Sequence, residues 1–212
     1  MSELAVETST FIIAGSIPER EASTDRLFNT SVVFNPQGQI VAKHRKAHLF
    51  DIDIPGKITF MESKTLSAGN TVTTFETPFG KIGLGICYDL RFPEYAQVCA
   101  NLGCEILCYP GAFNTTTGPL HWELLLRARA LDNQLYVLGV SPARLITAEL
   151  PYPTYGHSTA VGPWGDVLAK MDELPAVRVV ELDLDRVREV RAQIPIRAQK
   201  RFDLYTKNEV PA

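Results

Sequence analysis

The chain has 212 residues, 45% hydrophobic and 21% charged, which is enough for one substantial core. A formal net charge of −3 argues against nucleic acid or an anionic membrane as the main partner. No apolar run approaches the roughly 20 residues that span a bilayer, and MSELAVETST, with Glu3 and Glu7 and no arginine, is unlike a signal peptide or presequence.

That opening stretch reads like the middle of a helix, with Leu4, Ala5 and Thr8 on one side. Residues 11–17, apolar and β-branched, predict a first strand closed by Pro18, and residues 19–26 a surface loop. Residues 28–35 and 39–43 predict a hairpin across Asn35-Pro36-Gln37-Gly38. The same device recurs at Thr77-Pro78-Phe79-Gly80 and Gly162-Pro163-Trp164-Gly165. Proline presets φ for the turn and glycine supplies the positive φ that returns the chain. Residues 92–102 predict a helix ended by Gly103, followed by a strand over 104–109. A second helix over 119–133 carries Trp122, Leu125, Leu126 and Ala130 at helical spacing and leads into a strand over 135–140. A further strand is predicted over 177–182 and a short helix over 184–191. From about residue 195 the sequence IPIRAQKRFDLY loses periodicity and reads as an arm. No composition break divides the chain, so residues 1–212 form one α/β domain with an arm over about 195–212.

The stretch KIGLGICYDLRFPE, residues 81–94, joins a buried strand to an amphipathic segment in which Pro93 suits a first helical turn. Cys87 stands at that junction, where aligned backbone N–H groups favour thiolate over thiol. The alternative is a small buried hydrophobe, as most free cysteines are. Cys104 and Cys108 would share one face of their strand, and with Cys99 they read as buried thiols rather than metal ligands. Residues 43–50, KHRKAHLF, read alone as a solvated basic strand end. His44 and His48, four apart without an HExxH pattern or a third ligand, do not make a metal site. A cysteine attacking a carbonyl does need a cation and a backbone donor where the oxyanion forms. Lys46 and the Tyr88 N–H are the candidates, and the ammonium would also depress the thiol pKa.

RKAHLFDID around Lys46, GLGICYDLRFPE around Cys87, and YPGAFNTTTGPLHWELLLRARALDNQ resemble the nitrilase superfamily of carbon–nitrogen hydrolases. GSIPE, DIPGKITFMESKTLSAG, SPAR, GHSTAVGPWG and IPIRAQKRFDLY extend the resemblance over nearly the whole chain, which is most similar to the omega-amidase branch. The resemblance implies a four-layer α-β-β-α sandwich, a homodimer, no cofactor and no metal, in a cytoplasmic protein. It implies hydrolysis of small dicarboxylate monoamides, alpha-ketoglutaramate and alpha-ketosuccinamate, through a cysteine thioester with release of ammonia. Cys87 then matches the nucleophile, Lys46 the oxyanion lysine, Tyr88 the oxyanion N–H, and Glu62 a supporting glutamate beside the triad. Phe113 and Asn114 match residues lining the substrate entrance, and Arg144 is a candidate for the substrate carboxylate. Arg127, Arg129 and Glu123 suit structural ion pairs on a helix, and His121 and His157 hydrogen-bonded packing.

One departure stands out. The resemblance places the triad's general-base glutamate on a strand ahead of GSIPE, and nothing in MSELAVETST matches it. The expectation is therefore an N-terminally truncated form with little turnover, mitochondrial placement being open if a start lies upstream. A deaminated-glutathione-type amidase, or a catalytically impaired homologue acting as a binding or dimer subunit, are the alternatives.

Overall fold

A computed structural model describes residues 1–56, 58–144 and 152–205. Two sheets lie face to face. The smaller is built on β3 (Leu27–Phe34), which pairs antiparallel with β4 (Ile40–Arg45) on one side. Along its other side run β1 (Ile12–Ile13) and then β2 (Ile17–Arg20). The single strand predicted over 11–17 is thus broken at Gly15, whose φ is 71°, and resumes through Pro18. Proline is tolerated there because this is the sheet edge, where its missing N–H takes no ladder bond.

The larger sheet has six strands in the order β12-β11-β10-β9-β8-β7. These are β7 (Thr73–Thr77), β8 (Gly80–Leu84), β9 (Ile106–Pro110), β10 (Tyr136–Val140), β11 (Thr159–Val161) and β12 (Val167–Lys170). The central β8, β9 and β10 are parallel, joined by crossovers through α2 (Pro93–Asn101) and α3 (Gly118–Asn133). The predicted helices and all three Pro-x-Gly hairpins are present, with Gly38 at φ 74° and Gly165 at φ 80°. A two-stranded ribbon, β5 (Asp51–Ile54) and β6 (Ile58–Met61), stands apart.

The apolar residues separate into two cores, one on each face of β9. Leu107 and Tyr109 face α2 and α3 with Trp122 and Leu126. Ile106 and Cys108 face the smaller sheet with Val33 and Ala42. Together with α1 (Ser2–Thr8), whose Ser2 Oγ donates to Gly38 O of the β3–β4 turn at 2.7 Å, this is the α-β-β-α sandwich. Cys104 belongs to the helix-facing core and Cys108 to the sheet-facing one, so the two do not share a face as predicted. The reason is that β9 begins only at Ile106, and the chain turns at Glu105 before alternation sets in.

The strand predicted over 177–182 is not formed. Val177 and Val179 are 94% and 91% exposed, and no described strand offers this stretch a ladder. β-branched composition alone does not make a strand without a neighbour to pair with. The following helix is α4 (Asp185–Gln193), and the arm holds two short helices, α5 (Ile196–Gln199) and α6 (Phe202–Tyr205). Residues 206–212 of the arm lie outside the described residues.

Candidate active site

The carboxyl ends of β8, β9 and β10 open onto a cavity of about 640 Å³. In sheets with parallel strands, ligands bind beyond these ends because the loops leaving them can diverge. Cys87 follows β8, Gly111 and Ala112 follow β9, and Ser141 and Pro142 follow β10; all line the cavity. From the smaller sheet and its ribbon come Lys46, Phe50, Phe60 and Glu62. The site therefore lies where the two sheets meet.

Cys87 starts a 3₁₀ turn, residues Cys87–Arg91, with φ 47°. A left-handed φ on a non-glycine residue costs about 1–3 kcal/mol and persists only where its surroundings hold it. Part of that hold is Gly111, where a Cβ would come within 2.7 Å of the Cys87 Cα. The cysteine does not cap α2, which starts six positions on at Pro93, so that helix's N–H groups are not aimed at its sulfur. Burial pushes the thiol pKa up; the Lys46 ammonium and a backbone hydrogen bond from Ala112 oppose this without reversing it. The predicted shift toward thiolate is thus corrected: desolvation outweighs the cation.

Lys46 is only 3% exposed, and its Nζ donates to Glu62 Oε2 at 2.5 Å. The same oxygen accepts the Phe50 N–H at 2.6 Å. KHRKAHLF is therefore not a solvated end. Lys43 and Arg45 point outward to Glu19 and Glu21, while His44 and Lys46 are buried, as period-two alternation along β4 requires. Lys46 also lies 6.0 Å from the centre of the Tyr88 ring, which packs between Phe50 and Phe92.

Three of the expected residues lie away from this cavity. Arg144 does not line the cavity; its guanidinium pairs with Glu173 at 3.0 Å and its N–H with Glu173 O. Asn114 is buried; its Oδ1 accepts from Thr116 N, Thr117 N and Thr117 Oγ1, ordering the turn into α3, while its Nδ2 has no hydrogen-bond partner among the described residues. Phe113 packs on Trp122 at 4.9 Å and lines, outside the cavity, a small recess shared with Cys87 and Arg91. As predicted, Arg127 pairs with Glu123, and His121 and His157 are hydrogen-bonded. Arg129 does more: buried on α3, it donates to Leu90 O and Arg91 O and so ties down the turn that carries Cys87.

Two residues escaped the sequence reading. Arg91 lines the recess with Cys87, Tyr88 and Tyr152. Its guanidinium lies over the Phe113 ring at 5.0 Å and against His121 Nδ1 at 3.2 Å. Among the described residues no carboxylate pairs with it, and burial lowers its pKa. Asp89, fully buried, is the second. Its Oδ1 accepts the His48 N–H at 2.9 Å and His48 Nδ1 at 2.8 Å; its Oδ2 accepts His44 Nε2 at 3.0 Å and the Ile86 N–H at 2.8 Å. Burial pushes its pKa up, but the hydrogen bonds from His44 and His48 prevail and bring it to about 2.

The sequence profile described as carbon-nitrogen hydrolase matches residues 1–192. Omega-amidase NIT2 of Mus musculus is 58% identical over 206 residues, 97% of this chain and 73% of the relative; that of Homo sapiens is 57% identical over 205. Among solved structures, Saccharomyces cerevisiae Nit3, a member of branch 10 of the nitrilase superfamily, superposes with a TM-score of 0.86 at 45% identity. It covers 95% of this chain and 70% of its own. The C. elegans NitFhit protein gives 0.89 at 37% identity, covering 96% and 50%. With its parallel strand ends opening beside a cysteine and this breadth of match, the chain belongs to the carbon–nitrogen hydrolase family and is an amidase of the nitrilase fold.

Proposed function

We propose that the protein hydrolyses the omega-amide of small dicarboxylate monoamides, alpha-ketoglutaramate and alpha-ketosuccinamate, with Cys87 as nucleophile. The observation that carries this reading is Cys87 on a left-handed turn beside the buried Lys46 ammonium, at the wall of one cavity. The Cys87 sulfur, having lost its proton, adds to the amide carbonyl carbon. The Tyr88 N–H and Lys46 stabilise the oxyanion, the C–N bond breaks, and ammonia leaves with the added proton. Water then cleaves the thioester through a second oxyanion at the same place. Glu62 supports Lys46 in both steps by holding its ammonium. Arg91 supplies the cation for the substrate's free carboxylate, since it borders Cys87 and lacks an acidic partner among the described residues.

Ammonia release from alpha-ketoglutaramate, compared with butyramide, tests the reading. Arg91→Met is expected to raise KM for the keto-acid amide at least about tenfold and to leave butyramide unaffected. Equal losses on both would refute Arg91's role, and no Cys87-dependent release from either would refute the activity. One observation favours a second reading, a binding subunit with impaired turnover. Glu62 is the only carboxylate lining the cavity among the described residues, and its Oε2 is already held by Lys46 and the Phe50 N–H. One equivalent of ammonia with a stable acyl mass on Cys87 would select it.

A further inference from the structure

Lys46 and Cys87 arrive from different sheets, and neither Lys46's side chain nor its backbone bonds to the turn that carries Cys87. Its Nζ goes to Glu62, its N–H to Asn29 O and its carbonyl to the Gly69 N–H. What joins the two segments is the buried carboxylate two positions after the cysteine. We propose that Asp89 is a positioning residue: with His44 and His48 it forms a clamp that fixes Lys46 relative to Cys87. This rests on reading those two residues as oxyanion cation and nucleophile.

The bonds bracket both groups. His44 and His48 stand two residues either side of Lys46, and both rings end on Asp89. Ile86, whose N–H Asp89 also accepts, immediately precedes Cys87. An ionised carboxylate only accepts, so His44 Nε2 and His48 Nδ1 must carry the protons. Its four lone-pair sites then meet four donors, and no freedom is left for the carboxylate to swing. The rings are themselves fixed. His44 Nδ1 meets Thr73 Oγ1 at 3.0 Å, and His48 stacks on Phe92 with centroids 3.7 Å apart.

A clamp and a mere charge make opposite predictions for the thiol. The groups facing Cys87 are Lys46, Glu62, Asp89, Arg91 and Tyr152. Asp89's negative charge disfavours thiolate, so loss of that charge alone lowers the pH midpoint of Cys87 alkylation. Release of Lys46 withdraws its favourable pull and raises the midpoint.

The experiment is iodoacetamide labelling of the 212-residue chain against pH, read by peptide mapping, and it requires no turnover. Asp89→Asn is expected to raise the Cys87 midpoint by about half a unit or more. His48→Ala, which keeps the aspartate's charge and is tolerated at a partly exposed ring, is expected to raise it too. In a Lys46→Met background neither change should raise it. A lowered or unmoved midpoint in Asp89→Asn, or an unmoved one in His48→Ala, overturns the clamp. Labelling of other thiols in place of Cys87 in the unaltered chain is a separate result, and it overturns the nucleophile assignment itself.

Discussion

Glu62→Ala isolates the Lys46–Glu62 pair. It leaves an ammonium that is only 3% exposed without its carboxylate at 2.5 Å, and the Phe50 N–H without its acceptor. Removing one partner of a buried ion pair costs about 3–5 kcal/mol, because the remaining charge stays desolvated. The neighbouring cavity of about 640 Å³ can admit water to the ammonium, which moves the expectation to the low end, about 3 kcal/mol. In a chain of this size each kcal/mol shifts Tm by about 2–4 °C, so thermal unfolding followed by circular dichroism should fall by about 6–12 °C. The double variant Lys46→Met/Glu62→Leu removes both charges and should recover most of that loss, since apolar replacement of a buried pair is often neutral or stabilising. A fall below about 2 °C in the single variant would refute the argument. So would a double variant no more stable than the single.

Gly111→Ala places a methyl 2.7 Å from the Cys87 Cα and 3.2 Å from its N, where only backbone can give way. Unfolding should show a cost of about 1–3 kcal/mol, with at least about tenfold slower iodoacetamide labelling of Cys87. Lys46→Arg puts a broad guanidinium where a compact ammonium fits; a drop of about 100- to 1,000-fold in ammonia release is expected, and near-normal kinetics would remove Lys46 from the oxyanion site. Cys104→Ala should lower Tm without stopping labelling of Cys87, because Cys104 lies in the helix-facing core. Asp89 has a folded pKa of about 2 against 3.8 ordinarily. The stability it contributes, about 2 kcal/mol, is present above pH 3.8 and lost as pH falls through about 2. Asp89→Asn should therefore flatten the acid limb of stability in that window.

The fold was legible wherever local chemistry decides. Pro-x-Gly dictated three turns, and the Trp122–Leu126–Ala130 stripe dictated α3. It was illegible where pairing decides. Residues 177–182 have strand composition and no ladder, and the stretch over 11–17 broke at Gly15 because β3 accepts it in two pieces. In the site, Cys87 stood out by its junction and Lys46 by its motif. Asp89 carried a detectable sign, an acid three positions after Ile86 at a strand end, but two of its three partner residues, His44 and His48, come from a segment the sequence does not place beside it. Arg144 is the candidate in SPAR for a substrate carboxylate that needs a cation, and Glu173, remote in sequence, is what pairs with it. Arg91 was overlooked because an arginine's lack of a counter-ion is visible only in three dimensions.

The contacts joining His44 and His48 to Asp89 close loops of 45 and 41 positions. Closing such loops forfeits chain entropy before any bond repays it, whereas the β7–β8 turn closes over a handful of residues. During refolding, then, the hairpin that delivers the cysteine forms early, and the reactive centre forms only when the two sheets dock. A pulse of thiol reagent applied at successive delays should find Cys87 ordinary at first, acquiring its native labelling rate in the slowest phase. The nucleophile thus reports the moment of assembly, and no excised fragment beginning beyond β4 can reproduce its chemistry.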